Sequence, residues 1–207
     1  MFRDRLDAAQ QLADRLKSYR GKHPLILAIP RGAVPMGQLI AKALNGELDV
    51  VLVRKLRAPQ QSELAIGSVD ESGWTYLADY ARAYGGTADY IEAEKRAQLE
   101  TIRKRRAQYT PIRPPISPAG RTVIVIDDGL ATGATMIAAL HGLRASKPAK
   151  LICAVPVAPP DTLAKVADLA DEVVCLESPD FFQAVGQFYR HFPQVDDDEV
   201  IDILRQA

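Results

Sequence analysis

The sequence predicts an α/β fold with a central parallel sheet of about five strands and helices on both faces. Two observations carry that expectation. Short apolar runs at 25–29, 49–54, 121–127, 149–155 and 171–176 alternate with stretches of helical periodicity. Their interiors are apolar, with no in–out alternation, as in strands buried on both faces. A third observation complicates the picture: a hairpin signal and a long helix stand between the second and third runs. They read as a flap inserted at about 66–118 into one domain spanning 1–207.

Residues 2–20 predict an amphipathic helix, with Phe2, Leu6, Ala9, Ala13 and Leu16 stepping along one face. "LILAI" between Pro24 and Pro30 predicts a buried strand. Pro35 suits the first turn of the helix that follows. "DVVLVR" predicts a second strand, and residues 55–65, aperiodic and containing Pro59, predict a mobile loop. The runs on either side of Asp70, Glu71, Ser72 and Gly73 predict a hairpin. The stretch 87–109 predicts the longest helix, supported by the i,i+4 pairs Glu92–Arg96 and Glu100–Lys104. "TPIRPPISP" (110–118) predicts a stiff connector. After the strand at 121–127 come a helix near 134–146, two further strands with a helix between them, and a tail predicted as two short helices joined near Pro193. In that tail Phe181, Val185, Phe188 and Phe192 have helical spacing.

The 207 residues carry equal numbers of acidic and basic side chains, so no global field draws the chain to nucleic acid or an anionic membrane. Cys153 and Cys175 lie in apolar runs without metal-ligand spacing and read as buried hydrophobes. The charged start "MFRDRLDAAQ" does not resemble a secretory leader, and no run is long enough to span a bilayer. A cytoplasmic protein is the expectation. The basic run Lys95, Arg96, Arg103, Lys104, Arg105 and Arg106 is interleaved with acids and reads as a solvated helix face.

The informative stretch is "VIVIDDGLATGAT", Val123–Thr135. In an open α/β sheet ligands sit beyond the carboxyl ends of strands, and Asp127 and Asp128 lie at such an end. Two adjacent carboxylates repel each other and are costly to bury unpartnered, so they point to sugar hydroxyls or a cation such as Mg²⁺. The loop that follows joins small residues to Thr132 and Thr135 ahead of a helix N-terminus, which suits a phosphate. No Gly-Lys-Ser/Thr ending and no helix-opening GxGxxG is present.

The stretch closely resembles the phosphoribosyl-pyrophosphate (PRPP) signature of type I phosphoribosyltransferases. Over nearly its whole length the chain is similar to a bacterial group of predicted phosphoribosyltransferases, with "LVRKLRAPQQSELAIGSV" and "VGQFYRHFPQVDDDEV" among the shared stretches. The resemblance implies a type I phosphoribosyltransferase-like fold with a hood. It implies that Asp127 and Asp128 bind the ribose hydroxyls and that Ala131, Thr132, Gly133, Ala134 and Thr135 wrap the 5′-phosphate. Mg²⁺ is then held mainly by PRPP oxygens, with the two aspartates assisting. "IPRGAVP" resembles the family's pyrophosphate loop, which assigns Arg31 and Gly32 to pyrophosphate. "VRK" resembles the residues opening the catalytic loop, which assigns Arg54 and Lys55 to the charge on the departing group, with Arg57 and Glu63 as weaker candidates.

The implied reaction moves the phosphoribosyl group from PRPP to a small nitrogen acceptor, with a nucleobase or related heterocycle expected and a homodimer as the expected assembly. Ala131 stands where members acting on 6-oxopurines usually carry an acid, and "APQQSEL" lacks the Gly-Lys-Leu-Pro stretch of adenine-type enzymes. The acceptor is therefore left open. The tail aromatics Phe181, Phe182, Phe188, Tyr189 and Phe192 are candidates to stack on a base or simply to pack. Two alternatives stand beside the transferase: a PRPP- or nucleotide-binding regulator that contacts RNA, and a hydrolase or paralogue using only the ribose-phosphate site.

Overall fold

The computed structural model describes residues 1–111 and 113–207. Five strands form a parallel sheet in the order β2 (Glu47–Val50), β1 (Leu25–Ala28), β6 (Thr122–Ile126), β7 (Lys150–Val157), β8 (Glu172–Glu177). Alternate residues of each strand enter opposite cores. Ile26, Ala28, Ile124, Ile126 and Ile152 pack on the side of α1 (Arg5–Arg15), α2 (Ala33–Leu44) and α6 (Asp197–Arg205). Leu25, Leu27, Val123, Val125 and Cys153 pack against α4 (Ala134–Ala145) and α5 (Pro160–Ala167). Burial on both faces explains the uninterrupted apolar runs, each large aliphatic side chain contributing about 1.5–3 kcal/mol.

A second, antiparallel sheet follows β2 in the chain: β3 (Val53–Arg57), β4 (Ala65–Asp70) and β5 (Thr75–Leu77). The expected β4–β5 hairpin forms around Asp70, whose carboxylate accepts from the amides of Ser72 and Trp74, both at 2.9 Å. The 22-residue α3 (Ala88–Tyr109) starts where Thr87 caps it and packs on β3. Its Glu100–Lys104 pair forms at 3.8 Å. Ile112, in the expected connector, lies outside the described residues, and the remainder of 110–118 contains no helix or strand.

Four expectations change. The run 49–54 is not one strand: β2 ends at Val50, and Val53 and Arg54 pair with Asp70 and Val69 in the second sheet. Apolar character marks burial but does not say which partner strand provides it. For the same reason the expected loop at 55–65 begins as strand, with Lys55 and Arg57 inside β3 and Ala65 inside β4. The first helix is shorter than expected, capped by Asp4, and leaves Leu6 49% exposed. The tail before Pro193 is not an α-helix but a single 3-10 turn at Val185–Phe188. Its backbone groups pair with the chain start instead, with Phe2 N–H donating to Phe188 C=O and Arg190 N–H to Phe2 C=O.

Candidate active site

The sheet order reverses between β1 and β6, which lie side by side while their connections run to opposite sides. A crevice beyond the carboxyl ends of two such strands is the usual ligand site of an open α/β sheet. β1 ends in Pro30, Arg31 and Gly32, and β6 ends in Asp127 and Asp128. The topology therefore brings together two motifs nearly a hundred residues apart in the chain.

The two ends touch. A Cβ on Gly32 would stand 2.2 Å from Asp128 Oδ2 and 3.0 Å from the Arg5 guanidinium, so any side chain there would collide with the acidic pair. The Pro30–Arg31 peptide bond is cis. Arg31 makes no ion pair among the described residues and leads into α2 through its carbonyl, which accepts from Val34.

The acidic pair is unsymmetrical. Burial, then the neighbouring Asp128 charge, pushes the Asp127 carboxyl well above the usual carboxylate range. Burial also raises Asp128, but Arg5 opposes it, its Nε lying 3.1 Å from Asp128 Oδ2. Arg5 is itself held: its guanidinium carbon stacks 3.9 Å above the Phe192 ring, and it also donates to the Pro193 carbonyl at 2.5 Å. Tyr189 donates its hydroxyl to the Asp128 backbone oxygen at 2.7 Å and stacks on Phe192. The N-terminal helix and the tail thus form a hood resting on the strand end. Val185 lies over Gly129, and Phe182 packs against Phe188. Phe181, 78% exposed, does not join them. The sequence reading missed Arg5, since one arginine on an amphipathic helix carries no signal of a partner more than a hundred residues away.

The loop after Asp128 is anchored from three sides. Leu130 N–H bonds the Val157 carbonyl at 2.9 Å, Thr162 donates to the Ala131 carbonyl at 2.6 Å, and Ser68 donates to the Ala134 carbonyl at 3.2 Å. Gly133 sits at φ +79° as the cap of α4, a left-handed conformation that disfavours side chains. The amides of Thr132, Gly133 and Thr135 donate to no acceptor among the described residues. Open amides at a helix N-terminus are what an anionic group requires.

On the other side of the crevice, Arg54 Nε donates to the buried Gln98 of α3 at 3.0 Å. Gln98 in turn donates to Glu94 at 3.0 Å, and Glu94 accepts the Arg57 amide at 3.2 Å. Desolvation, with the charges of Arg105 and Arg57 adding to it, lowers the Arg54 pKa. Lys55 is exposed. Arg54, Lys55, Arg57, Glu63, Pro30 and Thr135 line one cavity of about 390 Å³, together with Arg105.

The basic run of α3 is not one solvated face. Arg103 and Lys104 are exposed, whereas Arg106 is paired to Asp49 at 3.1 Å and Glu71 at 2.7 Å, and Arg105 turns to the cavity. Helical spacing alone does not separate four such neighbours.

Among the described residues no cluster of three His, Cys, Asp or Glu side chains could enclose a metal ion. Two adjacent carboxylates, one of them already paired to Arg5, do not make an octahedral shell. They suit Mg²⁺ only where a ligand's phosphate and hydroxyl oxygens supply most of it. No helix is long and apolar enough to cross a membrane among the described residues.

Comparisons with known proteins identify the family of the chain. Two Mycobacterium tuberculosis proteins, one from each of two strains and both carrying a provisional phosphoribosyl transferase name, are 44% identical over 208 residues, covering 100% of this chain. The chain spans about half their length, 47%. The crystal structure of TT1426 from Thermus thermophilus superposes with a TM-score of 0.85 at 42% identity, covering 99% of this chain and 98% of that one. A hypothetical protein from Neisseria gonorrhoeae with bound ppGpp shares the fold at a TM-score of 0.51 and 12% identity, covering 100% of this chain and 98% of that one. The phosphoribosyl transferase domain model matches residues 4–192, and this chain belongs to that family.

Proposed function

We propose that the protein transfers the 5-phosphoribosyl group of PRPP to a nitrogen acceptor and releases pyrophosphate. The observation that supports this reading is that three unlike features neighbour one another at the carboxyl ends of β1 and β6, the third lining a cavity bordered by Pro30 and Thr135. They are a carboxylate pair, a loop of open amides and a set of cations that make no ion pair among the described residues. A ribose with a phosphate at one end and a diphosphate at the other needs all three.

In this reading Asp127 and Asp128 accept hydrogen bonds from the ribose hydroxyls. Ala131 through Thr135 hold the 5′-phosphate with their amides and the hydroxyls of Thr132 and Thr135. Arg31 and Gly32 border the diphosphate. The bond from the anomeric carbon to the pyrophosphate oxygen breaks as the acceptor nitrogen donates its lone pair. The electron pair leaves with pyrophosphate, where Arg54 and Lys55 stabilise the growing charge. Holding both reactants in line supplies much of the remaining rate enhancement. Mg²⁺, held chiefly by PRPP oxygens beside the two aspartates, would neutralise part of the diphosphate charge.

The acceptor approaches beneath the hood, beside Gly129, where Val185 and Tyr189 now pack. Ala131 offers no carboxylate to an acceptor proton, so a 6-oxopurine is disfavoured. A nitrogen heterocycle that needs no acidic partner at this position is the expected class, and a homodimer the expected assembly.

The test is a calorimetric titration with PRPP and Mg²⁺, followed by a pyrophosphate-release screen over purines, pyrimidines and other nitrogen acceptors. Binding with acceptor-dependent release supports the transferase and names its substrate. Binding without release points to a regulator instead, and absence of PRPP binding removes the reading.

A further inference from the structure

We infer that Arg105, on the helix inserted between β5 and β6, binds the pyrophosphate part of the substrate, so that the inserted segment supplies part of the active site. The inference rests on the reading of the crevice as a PRPP site. It adds a residue that the motif resemblance does not assign.

Four cations from two elements line the cavity: Arg54, Lys55 and Arg57 on β3, and Arg105 on α3. Among the described residues none of the four has a carboxylate within 4.0 Å, and Glu63 is the one acidic side chain on the lining. Gathering like charges without partners is unfavourable, and a structural role would have paired them. Arg106, the next residue along α3, shows what that looks like: it is nearly buried and held between Asp49 and Glu71. Arg105 stands one residue away on the same helix and has no such partner. The desolvation of Arg54 beside two further guanidiniums has the same sense, since a bound anion would relieve it.

The position of the cavity selects the anion. It opens between Pro30, where the β1 loop begins, and Thr135, where the open-amide loop runs into α4. A group lying there sits between the two loops. Its volume of about 390 Å³ falls within the range of small-ligand clefts. A guanidinium offers two parallel donors to phosphoryl oxygens, a geometry that a lysine cannot reproduce. β3 is the edge strand of its sheet, and α3 braces it through Gln98, so Arg54 and Arg105 are held toward one another by the inserted segment.

The experiment uses inorganic pyrophosphate with Mg²⁺ as the probe, titrated calorimetrically into the full chain and into Arg105→Gln, Arg105→Lys and Arg103→Gln. Arg103 is exposed on the same helix and controls for loss of net charge. Arg105→Gln is expected to weaken binding at least tenfold, Arg105→Lys by about threefold, and Arg103→Gln by less than twofold. If the glutamine variant does not fold by circular dichroism, the lysine variant carries the test. Wild-type binding with Arg105 variants indistinguishable from Arg103→Gln overturns this inference and leaves the transferase reading standing. No pyrophosphate binding by the wild type overturns this inference, and the PRPP titration then decides whether the transferase reading stands.

Discussion

The two walls of the crevice are built on opposite principles. At the end of β6 the acidic wall is held from within: Asp128 is paired to Arg5, Asp127 accepts from the Asp128 amide at 2.8 Å, and the loop beyond is tied to β7, α5 and β4. Along β3 and α3 the basic wall is left open, with Arg54, Lys55, Arg57 and Arg105 lining a cavity and none of them ion-paired among the described residues. The difference teaches, in the proposed reading, where substrate energy is spent. The acidic wall is held in place before substrate arrives, and PRPP would compete with the hood for it. The basic wall gathers like charges, and in the proposed reading the diphosphate relieves them.

The comparison breaks first at the aspartates. Asp127→Asn with Asp128→Asn removes two charged acceptors, each contributing about 1.5–3 kcal/mol to a hydrogen bond. PRPP affinity is expected to fall by about 10³-fold while circular dichroism stays unchanged, and retained affinity would detach the pair from the ribose. Next is Arg5→Met, which leaves Asp128 beneath the hood without its cation. A loss of roughly 3 kcal/mol in urea unfolding is expected, since removing one member of a nearly buried pair strands the other. A neutral result would mean the hood does not depend on that contact. On the basic wall, Lys55→Ala should lower kcat by about 10²-fold and move PRPP affinity little, if the lysine acts on developing charge. An equal loss of affinity would make it a plain binding residue.

The smallest effect is one of sign. Burial, with the Asp128 charge adding, raises the Asp127 pKa, so the folded chain holds that proton to higher pH than the unfolded chain does. Stability from this group is fully present below the unfolded value of about 3.9 and is lost as pH rises through the folded one. Asp127→Asn should therefore be more stable than wild type at neutral pH, with the gap closing on acidification. Parallel profiles in a urea series would show that folding does not shift the Asp127 pKa.

The parallel sheet and its helices were legible because burial on both faces writes itself into consecutive residues, as in "LILA" and "TVIVI". The PRPP-like loop was legible because its chemistry lies within thirteen consecutive residues. The antiparallel sheet was only half legible. The β4–β5 hairpin announces itself by a turn, but β3 joins it across an irregular stretch, and an apolar run does not reveal its partner. Arg5 and Arg105 were not legible at all. Each is one basic residue on a helix, indistinguishable in sequence from Arg103 or Arg106.

By itself, then, the sequence determined the layered architecture and the local motifs at the ends of β1 and β6, because backbone burial and loop chemistry are short-range. Tertiary structure alone decided which arginines are paired, which are stacked and which face the crevice. A side chain's charge is local, but its compensation depends on carboxylates brought near from distant parts of the chain.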